Sequence, residues 1–292
     1  MPFPYKTVLV TGATSGIGRA LAERMVANGI FVVAVGRRRD RLDELAARHG
    51  PEKLAVEQHD VADLASLEGW AKDITTKYPS LDCIVLNAGV QNTTDFTRAL
   101  TDDGGGAAAD LAATVASETA LNYLSPVQTT AHFLPHLSLR VASGSPAAIV
   151  LVSSGLALVP MARCASYCAT KAALHSFAWT LRSQLRHHHH HSSGNGRRPG
   201  IRVVEIVPPA VRTELHSRQP DLVAAGLGDF GMALADFTDE AWAGLTADDE
   251  DDEDRDEIIV GPTRDKLHAV EEPRRAAFRH FDKLMRESDN KA

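Results

Sequence analysis

A β-branched run, Thr7-Val8-Leu9-Val10, passes at once into Thr11-Gly12-Ala13-Thr14-Ser15-Gly16-Ile17-Gly18 and then into a helical pattern with Ile17, Leu21 and Met25 on one face. That opening narrows the choice of fold sharply. Strand, glycine turn and helix start are the parts of a phosphate cradle: glycine lets a pyrophosphate approach the backbone, and the first helical turn offers N–H groups and positive potential. The candidate cradle residues are Gly12, Thr14, Ser15, Gly16, Ile17 and Gly18. Their spacing, TGxxxGxG, differs from the general dinucleotide fingerprint GxGxxG.

The rest of the chain repeats the alternation. Apolar runs at Phe31–Val35, Leu54–His59, Leu81–Leu86, Ala147–Val152, Ile201–Val207 and Glu257–Gly261 read as strands, with helical patterns between them. Those patterns include a helix over Arg39–His49 and a long one from about Ala107 to Leu139, bent near Pro126 and Pro135. Alternating strands and helices joined by right-handed crossovers predict a Rossmann-type α/β fold: a single doubly wound domain on a seven-stranded parallel sheet. A length of 292 residues with 44% hydrophobic content is ample for that core. The expected layout is a cofactor-binding and catalytic core over 5–213, a variable substrate lid and acidic loop over 214–257, and a last strand and C-terminal helix over 258–292.

Composition excludes several functions. A net charge of -7 argues against a nucleic-acid or anionic-membrane binder, whose basic footprint would show in the totals. No apolar run reaches the roughly 18 residues of a membrane span, and Met1–Lys6 lacks the pattern of a signal peptide. Cys83, Cys164 and Cys168 have no metal-site spacing and are read as free thiols of a reducing compartment, so a cytoplasmic protein is expected. The run His187–His191 is read as a low-complexity surface loop without the spaced ligands of a metal site, and the acidic block Asp248–Asp254 as a solvated loop.

The chemistry concentrates where the run Ala147–Val152 ends in Ser153-Ser154 and the next helix carries Tyr167 and Lys171. A four-residue step puts phenol and ammonium one turn apart on one helix face. A free tyrosine ionises near pH ~10 and a neighbouring cation favours its phenolate, so Lys171 is expected to bring Tyr167 toward neutral conditions. Ser154 is placed to hold a carbonyl or hydroxyl oxygen. At the end of the second strand, Gly36-Arg37-Arg38-Arg39 has no carboxylate at position 36 for a ribose 2′-hydroxyl. An arginine there suits a 2′-phosphate, so NADP(H) is favoured, with Arg37 reading the phosphate and Arg38 helping; NAD(H) is the alternative.

Taken together and in this order, Thr11-Gly12-x-x-x-Gly16-Ile17-Gly18, Asn87-Ala88-Gly89, Asn122, Ser154 and Tyr167-x-x-x-Lys171 resemble the short-chain dehydrogenase/reductase family over about Thr7 to Thr213. The stretches around Ser153–Ala157, Tyr167–Ser176 and Pro208–Val211 also resemble its subgroup named after a D-alanylation-operon oxidoreductase. The resemblance implies hydride transfer between nicotinamide and a carbonyl or alcohol carbon of a small-molecule substrate. It implies that Ser154 polarises the carbonyl, Tyr167 donates the proton, Lys171 orients the ribose, and Asn122 breaks the local helix pattern and holds a relay water. It further implies that Asp60 and Val61 contact the adenine, and that Asn87, Ala88 and Gly89 stabilise the sheet and line the cofactor groove. Pro208-Pro209-Ala210-Val211-Arg212-Thr213 matches the segment covering the nicotinamide, with Pro208, Val211 and Thr213 toward the cofactor and Pro209 in place of a glycine. A lid from Glu214 to Gly244, containing Leu215, Leu222, Phe230, Met232 and Trp242, suits a partly hydrophobic substrate. Family members commonly form homodimers or homotetramers, and one is expected here. A catalytically silent NAD(P)H-binding sensor or scaffold is the rival reading, and the presence of serine, tyrosine and lysine together weighs against it.

Overall fold

The computed structural model describes residues 3–101, 105–192, 200–217, 219–247 and 255–289. Its strands are β1 (Thr7–Thr11), β2 (Phe31–Gly36), β3 (Leu54–Gln58), β4 (Cys83–Leu86), β5 (Ala147–Val152), β6 (Ile201–Val207) and β7 (Glu257–Ile259). All seven pair in parallel, in the order β3-β2-β1-β4-β5-β6-β7. Alternate residues serve opposite faces. Val8, Val10, Val32, Ala34, Val150 and Ile206 belong to one core, and Leu9, Val33, Ile84, Ile149, Leu151 and Val203 to the other. Burial on both faces is why the strands read as unbroken apolar runs.

The first core is closed by α1 (Gly16–Ala27), α2 (Arg39–His49) and α9 (Leu234–Thr246), through Leu21, Met25, Leu42, Leu45 and Phe237. The second is closed by α3 (Leu67–Lys77), α5 (Ser125–Ala142) and α6 (Ala165–Ser192), through Ile74, Phe133, Leu137, Leu174 and Ala178. Between them in the chain come α4 (Gly106–Thr119) and two short helices, α7 (Glu214–Ser217) and α8 (Pro220–Ala224); α10 (Pro262–Asp289) ends the fold.

Three expectations need adjusting. The single long helix is two: a π-helical turn over Ala120–Leu124 separates α4 from α5, and Ser125 N–H reaches back five residues to Ala120 O. Pro126 then starts α5, and Pro135 lies inside it. The histidine run is not a loop, because α6 carries the backbone through it to Ser192; no glycine or proline stands between Lys171 and that residue to stop the helix. The segment expected to be a lid divides, since Phe237, Ala241 and Leu245 of α9 are core residues and Met232 and Trp242 pack against that core. The acidic block 248–254 lies outside the described residues.

The chain winds outward from β1 to β3 and then restarts at β4 on the other side of β1. The reversal opens a crevice at the carboxyl ends of β1 and β4, where open α/β sheets bind their ligands.

Candidate active site

A cleft of about 1060 Å³ runs along this crevice, from the glycine turn at one end to Ser154, Tyr167 and Lys171 at the other. Gly12 and Gly16 sit at φ +68° and +52°, a region that disfavours any other residue, and both line the cleft with Thr14, Ser15 and Ile17. Gly18 does not line it. A Cβ there would stand 2.3 Å from Asn87 Nδ2 and 2.5 Å from Gly12 O, so this glycine serves the packing of turn against turn and not the contact with phosphate expected of it.

Thr11, at the end of β1, fastens the two turns together. Its Oγ1 accepts from the backbone N–H of Asn87 (3.0 Å) and Ala88 (3.2 Å), while Asn87 Nδ2 donates to Thr11 O (3.1 Å). Asn87, Ala88 and Gly89 thereby form the cleft floor.

Near the ends of β2 and β3, Asp60, Val61, Arg37 and Arg38 line the wall. The two arginines differ. Arg37 is 61% exposed and stands 3.6 Å from Asp60, whereas the Arg38 guanidinium turns in, donating to Thr14 Oγ1 (2.8 Å) and Ser15 Oγ (2.6 Å). Its other terminal nitrogen donates to Glu214 Oε2 (2.8 Å), and Arg41 pairs with the same carboxylate at 3.3 Å. Glu214 therefore occupies one side of the Arg38 guanidinium, a contact that sequence reading missed.

At the other end, β5 delivers Ser154 and α6 delivers Tyr167 and Lys171, with relative exposures of 8%, 6% and 4%. Ser154 Oγ accepts from Leu156 N–H (3.1 Å), capping the short turn Gly155–Ala157 and leaving its own hydrogen to donate. Lys171 Nζ donates to Val152 O (2.8 Å) and lies 5.7 Å from the centre of the Tyr167 ring. Burial pushes the Tyr167 phenol far above its ordinary pKa; the Ser154 hydroxyl opposes this, and Cys164, Cys168 and Glu118 add to it. The expected lowering by Lys171 thus loses to desolvation, and the phenol holds its proton at neutral pH. Burial also brings Lys171 down to about 8, against an opposing pull from Glu205.

Asn122 lies in the π turn, behind the cleft rather than in its lining. Its amide acts as a stand-in for a strand neighbour: Oδ1 accepts from Val90 N–H (2.9 Å), and Nδ2 donates to Val90 O (2.9 Å) and Thr170 Oγ1 (3.2 Å). A Cβ on Gly89 would be 3.1 Å from Asn122 Oδ1 and 3.7 Å from Lys171 Nζ, so the missing side chain lets both groups come close.

Pro208, Val211 and Thr213 also line the cleft, and Thr213 touches the space over Gly16. Beyond Tyr167 the walls turn apolar with Leu156, Val159, Met161, Leu215 and Phe230. A polar clasp closes over them that the sequence did not reveal: Arg163 Nη2 donates to Thr93 Oγ1 (2.7 Å), Gln219 Oε1 (2.8 Å) and Asp221 Oδ2 (2.5 Å). Leu222 is buried. The three cysteines are free and buried, with Cys164 and Cys168 Sγ 3.8 Å apart beside Tyr167. No group of metal-ligating side chains was found among the described residues, nor any helix long and apolar enough to cross a membrane.

Comparison with known proteins follows the same lines. The family described as short chain dehydrogenase matches residues 6–222. The Bacillus subtilis protein named uncharacterized oxidoreductase DltE is 34% identical over 293 aligned residues, covering 99% of this chain and 100% of that one. A short-chain dehydrogenase from Sphingobium yanoikuyae, solved with NADPH, superposes with a TM-score of 0.66 at 27% identity over 96% of this chain and 95% of its own. One from Burkholderia phymatum, solved with NAD, gives a TM-score of 0.70 at 20% identity over 98% and 96%, a likeness of fold alone.

Proposed function

The chain belongs to the short-chain dehydrogenase family, in its DltE-like subgroup, and is an oxidoreductase; on that premise we propose that it binds a nicotinamide cofactor and uses NADP(H) to interconvert a carbonyl and an alcohol on a small, partly apolar substrate. One observation carries this reading: a single cleft joins a glycine cradle flanked by two arginines to a buried serine, tyrosine and lysine. The cradle fits a dinucleotide, because Gly12 and Gly16 line the cleft at positive φ without side chains, and Thr14 and Ser15 set their hydroxyls beside Arg38 on the same wall. Gly12, Thr14, Ser15, Gly16 and Ile17 would hold the pyrophosphate, Arg38 and Arg37 the 2′-phosphate, Asp60 and Val61 the adenine, and Pro208, Val211 and Thr213 the nicotinamide end.

When bound, the cofactor gives or takes the hydride. The protein supplies position and protons. Ser154 donates a hydrogen bond to the substrate oxygen, and Tyr167 passes its proton to that oxygen in the reducing direction. Lys171 holds the ribose and offers the cation against which the new phenolate is stable. Asn122, whose amide is engaged with Val90 and Thr170, serves a relay water from its main chain, where a π turn displaces the regular bonding. The apolar wall of Leu156, Val159, Met161, Leu215 and Phe230 takes the substrate body, so the lid is the 214–230 portion of the segment. Localisation in the cytoplasm and a dimeric or tetrameric assembly belong to the same reading.

The test is turnover of NADPH with a panel of apolar aldehydes and ketones, for wild type and Tyr167→Phe. Loss of at least a hundredfold in kcat with cofactor binding kept is expected, on the order of what a general acid contributes. Retained turnover in the variant would refute the assignment.

A further inference from the structure

Behind the catalytic helix lies a set of buried charges that the reaction as described leaves unused. His175 stands one helical turn past Lys171, is 1% exposed, and sits between two carboxylates. Its Nδ1 is 2.8 Å from a Glu205 oxygen on β6, and its Nε2 is 3.2 Å from Glu271 on α10. Glu205 is fully buried and Glu271 2% exposed. A carboxylate so placed takes up a proton unless a partner keeps it charged. Here the partner is the imidazole: burial pushes His175 down, but Glu205 and Glu271, with Glu257 adding to them, outweigh burial and bring it to about 9, so it is a cation at neutral pH.

Glu205 also lies beside the stretch of β5 that holds Lys171. The register sets Leu151 opposite Glu205 and Val152 opposite Ile206, and Lys171 Nζ donates to the carbonyl of that same Val152. Lys171 is 4% exposed, and a neutral carbonyl alone does little to keep a buried ammonium charged. Glu205 is the acidic group that opposes the loss of its proton. Of the other charges around the set, one pair is matched apart from it and one cation joins it. Glu257 on β7 pairs with Arg275 of α10 (2.5 Å) and Arg182 of α6 (3.6 Å), and Arg274 of α10 pairs with Glu271 (3.2 Å).

We propose that Glu205 and His175 are positioning residues: Glu205, clamped by His175 and through it by Glu271 of the C-terminal helix, is the buried counter-charge that keeps Lys171 protonated. The effect on turnover rests on the oxidoreductase reading above; the effect on Lys171 does not. With Glu205 neutralised, Lys171 loses its proton at lower pH, Tyr167 loses its cationic neighbour, and proton donation fails from the alkaline side.

The experiment titrates the ¹³Cε resonance of Lys171, assigned with Lys171→Met, in the full-length protein and in Glu205→Gln and Glu205→Asp, each checked for folding by its thermal transition. We expect the midpoint to fall by about one pH unit in Glu205→Gln, the scale of losing one nearby opposite charge, and by less in Glu205→Asp, which keeps the charge but withdraws it by one methylene. The alkaline limb of the pH–turnover profile should move with it. If Glu205→Gln does not fold, the smaller drop in Glu205→Asp carries the test. No drop in either variant, or equal drops in both, overturns the proposal, the second because it marks lost packing instead of lost charge. A shifted Lys171 midpoint in a protein that turns over no carbonyl would refute the oxidoreductase reading and leave the counter-charge standing.

Discussion

Arg38 meets the glycine turn with its guanidinium and is held on the other side by Glu214, so the 2′-phosphate of the proposed cofactor would compete with a carboxylate there. Two opposite changes follow from this one contact. Arg38→Ala should weaken NADPH about tenfold or more while leaving NADH nearly unchanged, as expected for removing a charge-assisted contact. Glu214→Gln should tighten NADPH, since the phosphate then displaces no anion. Both are read by fluorescence titration, and equal effects on the two cofactors would detach Arg38 from the 2′-phosphate. Lys171 sets the pH response. With its pKa brought to about 8, it is cationic at neutral pH, and reduction should decline as pH rises through that value. A pH–rate profile flat to pH 10 would contradict this.

At the scale of elements, α6 does two tasks with one face: Tyr167 and Lys171 at its start, His175 and Trp179 against α10 further on. The folded pKa of His175, about 9, exceeds the ordinary imidazole value of 6.5. Its stabilising contribution is therefore complete below about 6.5 and is lost as pH rises toward 9. The thermal midpoint of wild type should fall over that window more than that of His175→Gln, and parallel curves would count against the buried pair. On the other face of the sheet, Phe237 of α9 is fully buried against the first core. Phe237→Ala should cost about 3 kcal/mol in urea unfolding, the usual loss for a core aromatic. A loss under about 1 kcal/mol, the range of surface changes, would show that α9 is a detachable lid after all.

These elements also show what the sequence can and cannot convey. Strands buried on both faces announce themselves as apolar runs, and motifs such as Gly12–Gly18 or Tyr167–Lys171 are compact enough to read as units. The π turn at Ala120–Leu124 leaves no such trace, because its cause is a side chain: Asn122 bonds Val90, 32 residues earlier, as a strand would. Glu214 and Arg38 are 176 positions apart, and the Arg163–Asp221 clasp joins segments 58 apart. Such pairs exist only once the sheet has brought them together. The histidine run misled for the opposite reason, since low complexity marks composition and says nothing of whether a preceding helix stops.

For the whole molecule, the reversal of strand order between β1 and β4 is what makes one cleft out of distant parts. It puts the glycine cradle, Arg38 and the Ser154–Tyr167–Lys171 group along a single line, with the buried Glu205–His175–Glu271 set directly behind. The cofactor therefore stands at the centre of the account, and its binding needs no knowledge of the substrate. Titration of the purified protein with NADPH and with NADH, followed by nicotinamide fluorescence, tests it most directly. NADPH should bind at least tenfold more tightly than NADH, a difference of about 1.4 kcal/mol. Preference for NADH would contradict the arginine assignment, and binding of neither would contradict the oxidoreductase reading itself.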